Sequence, residues 1–417
     1  MKLLLFLAGV LVLFATEILR VYFIMPFPGS QHSNTIGLAY FIDHNRVWLR
    51  LIGIALISYP LYHYWRGNQR GSGGSQGNQQ ASASPGSQRR RLASRLALSV
   101  LIIFYGLIFF FFNFRFEADK MFYQPANKTF AAAANNKIPL NRLVIGVVIN
   151  NEAKAYPIQV IGYHHQVRDT LGNTPVMITY CTVCRTGRVF LPLVHGSPED
   201  FRLVGMDHFN AMFEDARTKS WWQQATGTSI AGPLKNAQLT EIPSRQSTLA
   251  EWLRQYPDTK ILQPDSTFTK NYQDLADYDK GTIKGSLEHR DSSSWKAKSW
   301  VVGLRSGTYA KAYDWNDLIN HPLIQDTIGV TPIALLLGGD STFFHAWNRN
   351  VDGQTLQLEK VPGQDLLKDS NTGSLWNFDG VCISGSLKDQ QLQTVQSYQE
   401  FWHSWRNFHP YTTQYKL

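Results

Sequence analysis

The chain has 417 residues, 44% of them hydrophobic, with a net charge of +9 and three cysteines. This length accommodates two or three domains. The apolar content excludes a disordered chain, and so few cysteines exclude a disulfide-stapled secreted scaffold. Residues 1–119 carry 11 basic and 4 acidic side chains (+7) and the remainder carries 29 and 27 (+2), so the basic excess reports membrane topology and a lipid bilayer as partner, with no nucleic-acid footprint.

Three apolar segments lie at about 3–27, 47–65 and 96–114, and each is expected to span a membrane as a helix. The first begins with Lys2, as a secretory signal does. No small-x-small cleavage site follows it, and its apolar run continues past Ile24, so it reads as uncleaved. It contains Glu17 and Arg20, three apart on one helical face and expected to pair. Arginines crowd the stretch from Arg66 to Arg95, whereas the loop from Pro28 to Arg46 is balanced. The positive-inside rule then puts the N-terminus and residues 66–91, a flexible Gly/Ser/Gln-rich linker, in the cytoplasm. Everything after Phe114 is expected on the periplasmic face of a bacterial inner membrane, an oxidising compartment.

Residues 116–139 read as a connector with a short helix at Phe130 to Asn135. Arg142 to Ile149 and Ala153 to Tyr156 alternate about a polar turn, as a β-hairpin does. Val176 to Tyr180, Arg188 to Val194 and Phe201 to Met206 read as further strands. Thr248 and Glu251 form a capping box that opens a helix running to Tyr256. No regular βαβα alternation appears, so the fold class is α+β and strand-rich. Residues 263–297 are polar and read as a linker.

Beyond that linker the pattern returns. Ala153-Lys154-Ala155-Tyr156 is matched by Ala310-Lys311-Ala312-Tyr313, His164 by His321 and Asp169 by Asp326, all at an offset of 157. Gly232, Trp252 and Pro257 are matched by Gly385, Trp405 and Pro410 at an offset of 153. A shared offset over so many positions predicts a tandem duplication, with repeats at 140–262 and 298–413.

Two of the three cysteines, Cys181 and Cys184, form a Cys-x-x-Cys pair between two strand-like runs. At that spacing two sulfurs can exchange disulfides, chelate a soft metal, or form a structural bond. The second repeat has Gly338 and Ser341 in their places, so it keeps the scaffold and drops the thiols. Thiol–disulfide oxidoreductase-like chemistry would use Cys181 and Cys184, with Arg185 stabilising the thiolate and a redox protein as partner. Metal chemistry would place copper(I) on Cys181 and Cys184 with His164 or His208. A non-catalytic interaction module would need neither. Strands flank the pair where thioredoxin has a helix, so that fold is disfavoured. His321 persists where the cysteines do not, which also gives His164 a scaffold reading.

The ordered set Ala155-Tyr156-Pro157, Gly162-Tyr163-His164, Tyr180-Cys181-x-x-Cys184-x-x-Gly187 and Ser220-Trp221-Trp222, followed by Ala231-Gly232-Pro233-Leu234, resembles the domain-of-unknown-function family 3179 over about 141–262. The second repeat is a degenerate echo of it. The resemblance implies a membrane-anchored or exported protein without an established activity. Because some members carry selenocysteine in the cysteine motif, it also implies redox or soft-metal chemistry there. Members commonly show Pro and Gly where this chain has Thr182 and Arg185.

Overall fold

The structure, a computed structural model, describes residues 1–32, 34–70 and 85–417, so most of the expected linker at 66–91 lies outside the described residues. Two compact units form: Met1–Met121 with Val204–Asp207, and Phe122–Leu203 with His208–Leu417.

The first unit contains helices α1 (Lys2–Tyr22), α2 (Ile36–His44), α3 (Arg46–Arg70) and α4 (Pro85–Phe114). Among the described residues two helices, Lys2–Tyr22 and Leu92–Phe114, are long and apolar enough to cross a membrane. The middle apolar segment is helical as expected, but Arg46, Arg50, Pro60 and Arg66 dilute it. Helices α1 and α3 meet at glycines: a Cβ on Gly9 would lie 2.7 Å from the Gly53 carbonyl oxygen, the close approach that small residues permit between apolar helices. The expected Glu17–Arg20 pair does not form. Glu17, fully buried, accepts two hydrogen bonds from Arg50 at 2.6 and 2.8 Å and one from Asn113 at 2.8 Å. Arg20 donates to Glu117 at 2.5 Å and to Asp43 at 3.4 Å. A guanidinium reaching from another helix closes a two-pronged fork on the carboxylate, and a neighbour on the same helical face does not compete with it.

The second unit is α+β and rich in strands. Strands β1 (Leu143–Ile149) and β2 (Glu152–Pro157) form the expected hairpin, turning through Asn150 and Asn151 at φ 50° and 63°. Asn tolerates this left-handed pair, which matches the strand twist. Helix α5 (Ile158–His164) leads to a three-stranded antiparallel sheet of β3 (Gln166–Leu171), β4 (Thr174–Cys181) and β5 (Thr186–Phe190). The strand expected at 188–194 starts earlier and breaks before Pro192, which donates no backbone hydrogen bond. Strands β6 (Phe201–Asp207), β7 (Asn210–Asp215), β8 (Trp221–Gln223) and β9 (Ser229–Ala231) follow. Next come β10 (Arg245–Thr248), paired with β1, α6 (Leu249–Gln255), whose Glu251 N–H donates to the Thr248 hydroxyl at 3.3 Å as the capping box predicts, and β11 (Lys260–Leu262), parallel to β2. The helix expected at Phe130 to Asn135 is a strand pair at Phe130–Ala131 and a single 3-10 turn.

Residues 263–297 are ordered around aromatic anchors. Phe268, Tyr272 and Tyr278 are buried in the same core as the β1–β2 hairpin, so three rings hold a polar segment onto the domain. The elements then recur as β12 (Trp300–Ser306), β13 (Tyr309–Asp314), α7 (Trp315–Asn320), β14 (Leu323–Ile328), β15 (Thr331–Leu337), β16 (Phe344–Asn348), a run of short strands, β17 (Ser397–Phe401) and α8 (Trp402–Phe408). Their interactions recur too. Lys154 and Tyr156 bind Asp169 at 2.9 and 2.8 Å, and Lys311 and Tyr313 bind Asp326 at 2.7 and 2.8 Å. The Trp252 indole donates to Thr259 at 3.0 Å and that of Trp405 to Thr412 at 2.8 Å. The two halves touch at matching positions, where the Gln246 amide donates to Gln399 at 2.9 Å.

Each half leaves room for its indole by omitting one side chain. A Cβ on Gly146 would lie 2.2 Å from the Trp252 ring, and one on Gly303 2.2 Å from the Trp405 ring. Gly146→Ala and Gly303→Ala are each expected to cost about 1–3 kcal/mol in denaturant unfolding of the full chain, while Gly339→Ala, with nothing within 4 Å, stays near neutral. Equal stability of all three variants would contradict this packing.

Candidate functional site

Strand β4 ends on Cys181, β5 starts at Thr186, and the intervening turn carries Cys184, so the pair sits between two strands as expected. Both thiols are free, and both residues are 0% exposed. Their sulfurs converge on one backbone oxygen: Cys184 Sγ is 3.2 Å and Cys181 Sγ 3.4 Å from the Phe209 carbonyl.

That carbonyl is aimed by a strained turn. His208 and Phe209 form the two-residue loop between β6 and β7 with φ 49° and 66°, an uncommon conformation for bulky side chains. The loop is held from behind. The Asn210 amide donates to Gln224 at 2.8 Å and accepts from the Ala225 N–H at 2.8 Å, and Gln224 donates to Thr179 and to the Thr186 carbonyl at 3.0 Å each. Asn210 and Gln224 thus fix the oxygen against which the sulfurs rest.

The two thiols are unequal. Burial pushes both upward. For Cys181 this is overcome by hydrogen bonds from the Cys184 thiol and from the Ala211 and Cys184 N–H groups, and by the Lys298 charge, so its thiol lies below the usual range. Burial, with Cys181 as hydrogen-bonded neighbour, holds Cys184 well above it. The first proton to leave the pair therefore leaves Cys181.

Arg185 is not the cation that acts on the sulfurs. Its guanidinium donates to Gln399 at 2.9 Å and to the Tyr278 and Asp279 carbonyls at 3.3 Å, and it stacks 3.9 Å from the centre of the Trp300 ring. Sequence adjacency misleads here because Arg185 has φ 54° and its side chain serves the packing of the two halves. The acting cation is Lys298, more than a hundred residues away. Its ammonium donates to the Val183 carbonyl, between the two cysteines, at 2.7 Å and lies 3.2 Å from His403 Nε2. His403 Nε2 is itself 3.1 Å from the same carbonyl, and the Phe401 N–H donates to the Cys184 carbonyl at 3.0 Å.

His164 lies elsewhere. It is fully buried, with Nδ1 2.5 Å from the Tyr123 carbonyl and Nε2 2.7 Å from the Tyr272 hydroxyl. A carbonyl only accepts, so Nδ1 carries the proton and Nε2 accepts from tyrosine. Both ring nitrogens of the buried His164 are thus engaged, whereas His321, at the matching offset, is exposed. His208 stands next to Phe209 in the turn over the thiols. Among the described residues, no group of three or more His, Cys, Asp or Glu side chains is disposed to hold a metal ion. Cys382 is a buried free thiol whose Sγ lies 3.3 Å from the Ser384 carbonyl.

A family model described as "Protein of unknown function (DUF3179)" matches residues 124–412, well over half of the chain. The chain belongs to the DUF3179 family. The match takes in both halves of the second unit, where the sequence resemblance stopped near 262, and it includes Lys298 and His403. No curated protein and no solved structure matches the chain.

Burial of neutral histidines away from the thiols makes the DUF3179 domain acid-sensitive. His165, adjacent to His164, is depressed to about 4, chiefly by burial. Its folded value lies below the unfolded one near 6.5, so its contribution to stability is complete above about pH 6.5 and is lost as the pH falls towards 4. His165→Asn keeps a residue suited to its left-handed backbone at φ 62°. This variant is expected to remove roughly 2–3 kcal/mol of the stability lost between pH 6.5 and 4 in urea unfolding. An unchanged pH slope would contradict the assignment.

Proposed function

We propose that this DUF3179 member is a membrane-tethered thiol–disulfide redox protein in which Cys181 is the attacking sulfur and Cys184 the resolving one. The observation that carries the reading is a pair of free, adjacent thiols whose sulfurs rest 3.4 and 3.2 Å from one backbone oxygen, in a turn whose Val183 carbonyl is held by Lys298 and His403. The Cys181 thiolate attacks one sulfur of a partner protein's disulfide, and the partner's other sulfur leaves as a thiol. Cys184 gives up its proton and attacks the Cys181 sulfur, releasing the second partner thiol. Two electrons and two protons pass to the partner, and a Cys181–Cys184 disulfide remains.

Both sulfurs are covered, so exchange requires the cover to lift. Phe209, Lys298 and His403, which meet the cysteine turn, are half-buried rather than core and are the groups proposed to move. The recurring triads, indoles and offsets support a tandem duplication, with repeats at 140–262 and 298–413. The arginine-rich stretch at 66–95 supports a cytoplasmic N-terminus, with α3 as a third span and the repeats in the periplasm. A second reading uses the convergence of the sulfurs on one oxygen, because two thiolates suffice for copper(I). Stoichiometric metal after copper loading of the reduced chain would favour it.

The test is alkylation of the folded, reduced, detergent-solubilised chain, followed by peptide mapping. Slow modification at Cys181, ahead of Cys184 and Cys382, is expected. A chain whose three thiols react only after unfolding would support the non-catalytic interaction module instead.

A further inference from the structure

We infer that the cysteine-free second repeat completes the dithiol site, with Lys298 and His403 as its positioning residues. The inference rests on the redox reading of Cys181 and Cys184 and extends it to residues outside the cysteine motif. Both side chains converge on the Val183 carbonyl, at 2.7 and 3.1 Å, and the Phe401 N–H takes the Cys184 carbonyl at 3.0 Å. Two consecutive carbonyls of the cysteine turn are therefore tied to the second repeat. His403 also meets Phe209 edge-on at 6.1 Å between ring centres, and Phe209 supplies the oxygen shared by the sulfurs. Lys298 lies 4.7 Å from the centre of the Phe401 ring, which holds its ammonium at the turn.

The internal repetition supplies a control. In the second repeat the Trp402 and His403 N–H groups donate to Ser299 and Ala297 at 2.9 and 3.0 Å. In the first repeat the Leu249 and Ala250 N–H groups donate to Arg142 and Leu140, both at 2.8 Å. These matched bonds make Lys298 equivalent to Asn141 and His403 equivalent to Ala250. The backbone is the same in both repeats, yet the lysine and the histidine occur only where that backbone meets the cysteine turn. The cysteine-free counterpart is also closed differently: a side chain at Gly338, in the place of Cys181, would meet the Phe343 ring at 2.5 Å. If these residues served only the joint between repeats, such a joint would not require a cation and an imidazole on one side alone.

The ammonium beside the pair favours its reduced, thiolate-bearing form over the neutral disulfide, and so makes the pair more oxidising. The experiment equilibrates the full chain in detergent with a thiol/disulfide buffer and reads the Cys181–Cys184 exchange constant. Lys298→Gln, which keeps a donor for Val183 without the charge, is expected to shift that constant about tenfold towards the disulfide, about 30 mV, with the melting temperature unchanged. Lys298→Arg restores most of the shift, and Asn141→Ala leaves the constant at the wild-type value. His403→Gln, which leaves the lysine in place, lets Cys184 alkylate alongside Cys181. If Lys298→Gln and His403→Gln exchange and alkylate as the wild type does, the inference is wrong and the dithiol reading stands. A wild-type chain that does not exchange at all sinks that reading as well.

Discussion

The hydrogen bond from the Phe401 N–H to the Cys184 carbonyl joins the two halves of the domain at the point where its thiols lie. Strand β17 rests against β5 there. Arg188 reaches across from β5 to Glu400 at 2.5 Å, with both side chains buried and the guanidinium 3.3 Å from the centre of the Tyr398 ring. Such a pair leaves an uncompensated charge if either partner is removed, a loss of about 3–5 kcal/mol, so the halves are not free to separate. The geometry of the cysteine turn depends on this joint: Val183 and Cys184 are held from across it, and Arg185 and Arg188 anchor in it. A turn of four residues on an isolated three-stranded sheet would have no such constraint.

Burial on that joint has a chemical consequence. A thiolate is costly in an apolar interior unless donors meet it. Donors meet Cys181, in the N–H groups of Ala211 and Cys184 and the Cys184 thiol, whereas for Cys184 burial and its place as the donor in that thiol pair favour a retained proton. The proton order is thus set by which backbone groups face which sulfur. The flanking arginines do not set it. The same burial removes the thiols from indiscriminate oxidants.

Much of the scaffold was legible in the sequence, because alternation and capping report local physics. The hairpin at 143–157, the cap at Thr248 and the strand–turn–strand around the cysteines all follow the pattern of apolar residues and turn formers. The recurring offset carried further than any single element. It placed Trp405 opposite Trp252 and exposed the loss of both thiols from the second half. What stayed hidden is long-range. Lys298 follows directly on a run that reads as polar linker, and Phe268, Tyr272 and Tyr278 became core only once the fold brought the hairpin to them. Arg185 reads as a site residue because it is next in the chain, although a left-handed backbone turns its side chain to Gln399 and Trp300. Glu17 shows the same limit: its partner is Arg50 on another helix, not Arg20 one turn along its own.

The central claim is that Cys181 and Cys184 form a working couple within the folded domain. It is tested most directly by titrating the intact chain through a graded series of thiol/disulfide buffers and locating any disulfide by peptide mapping. A reversible two-electron transition is expected, confined to Cys181–Cys184 with Cys382 still free, while the fold persists. A pair that stays reduced across the whole series until the protein unfolds would contradict it.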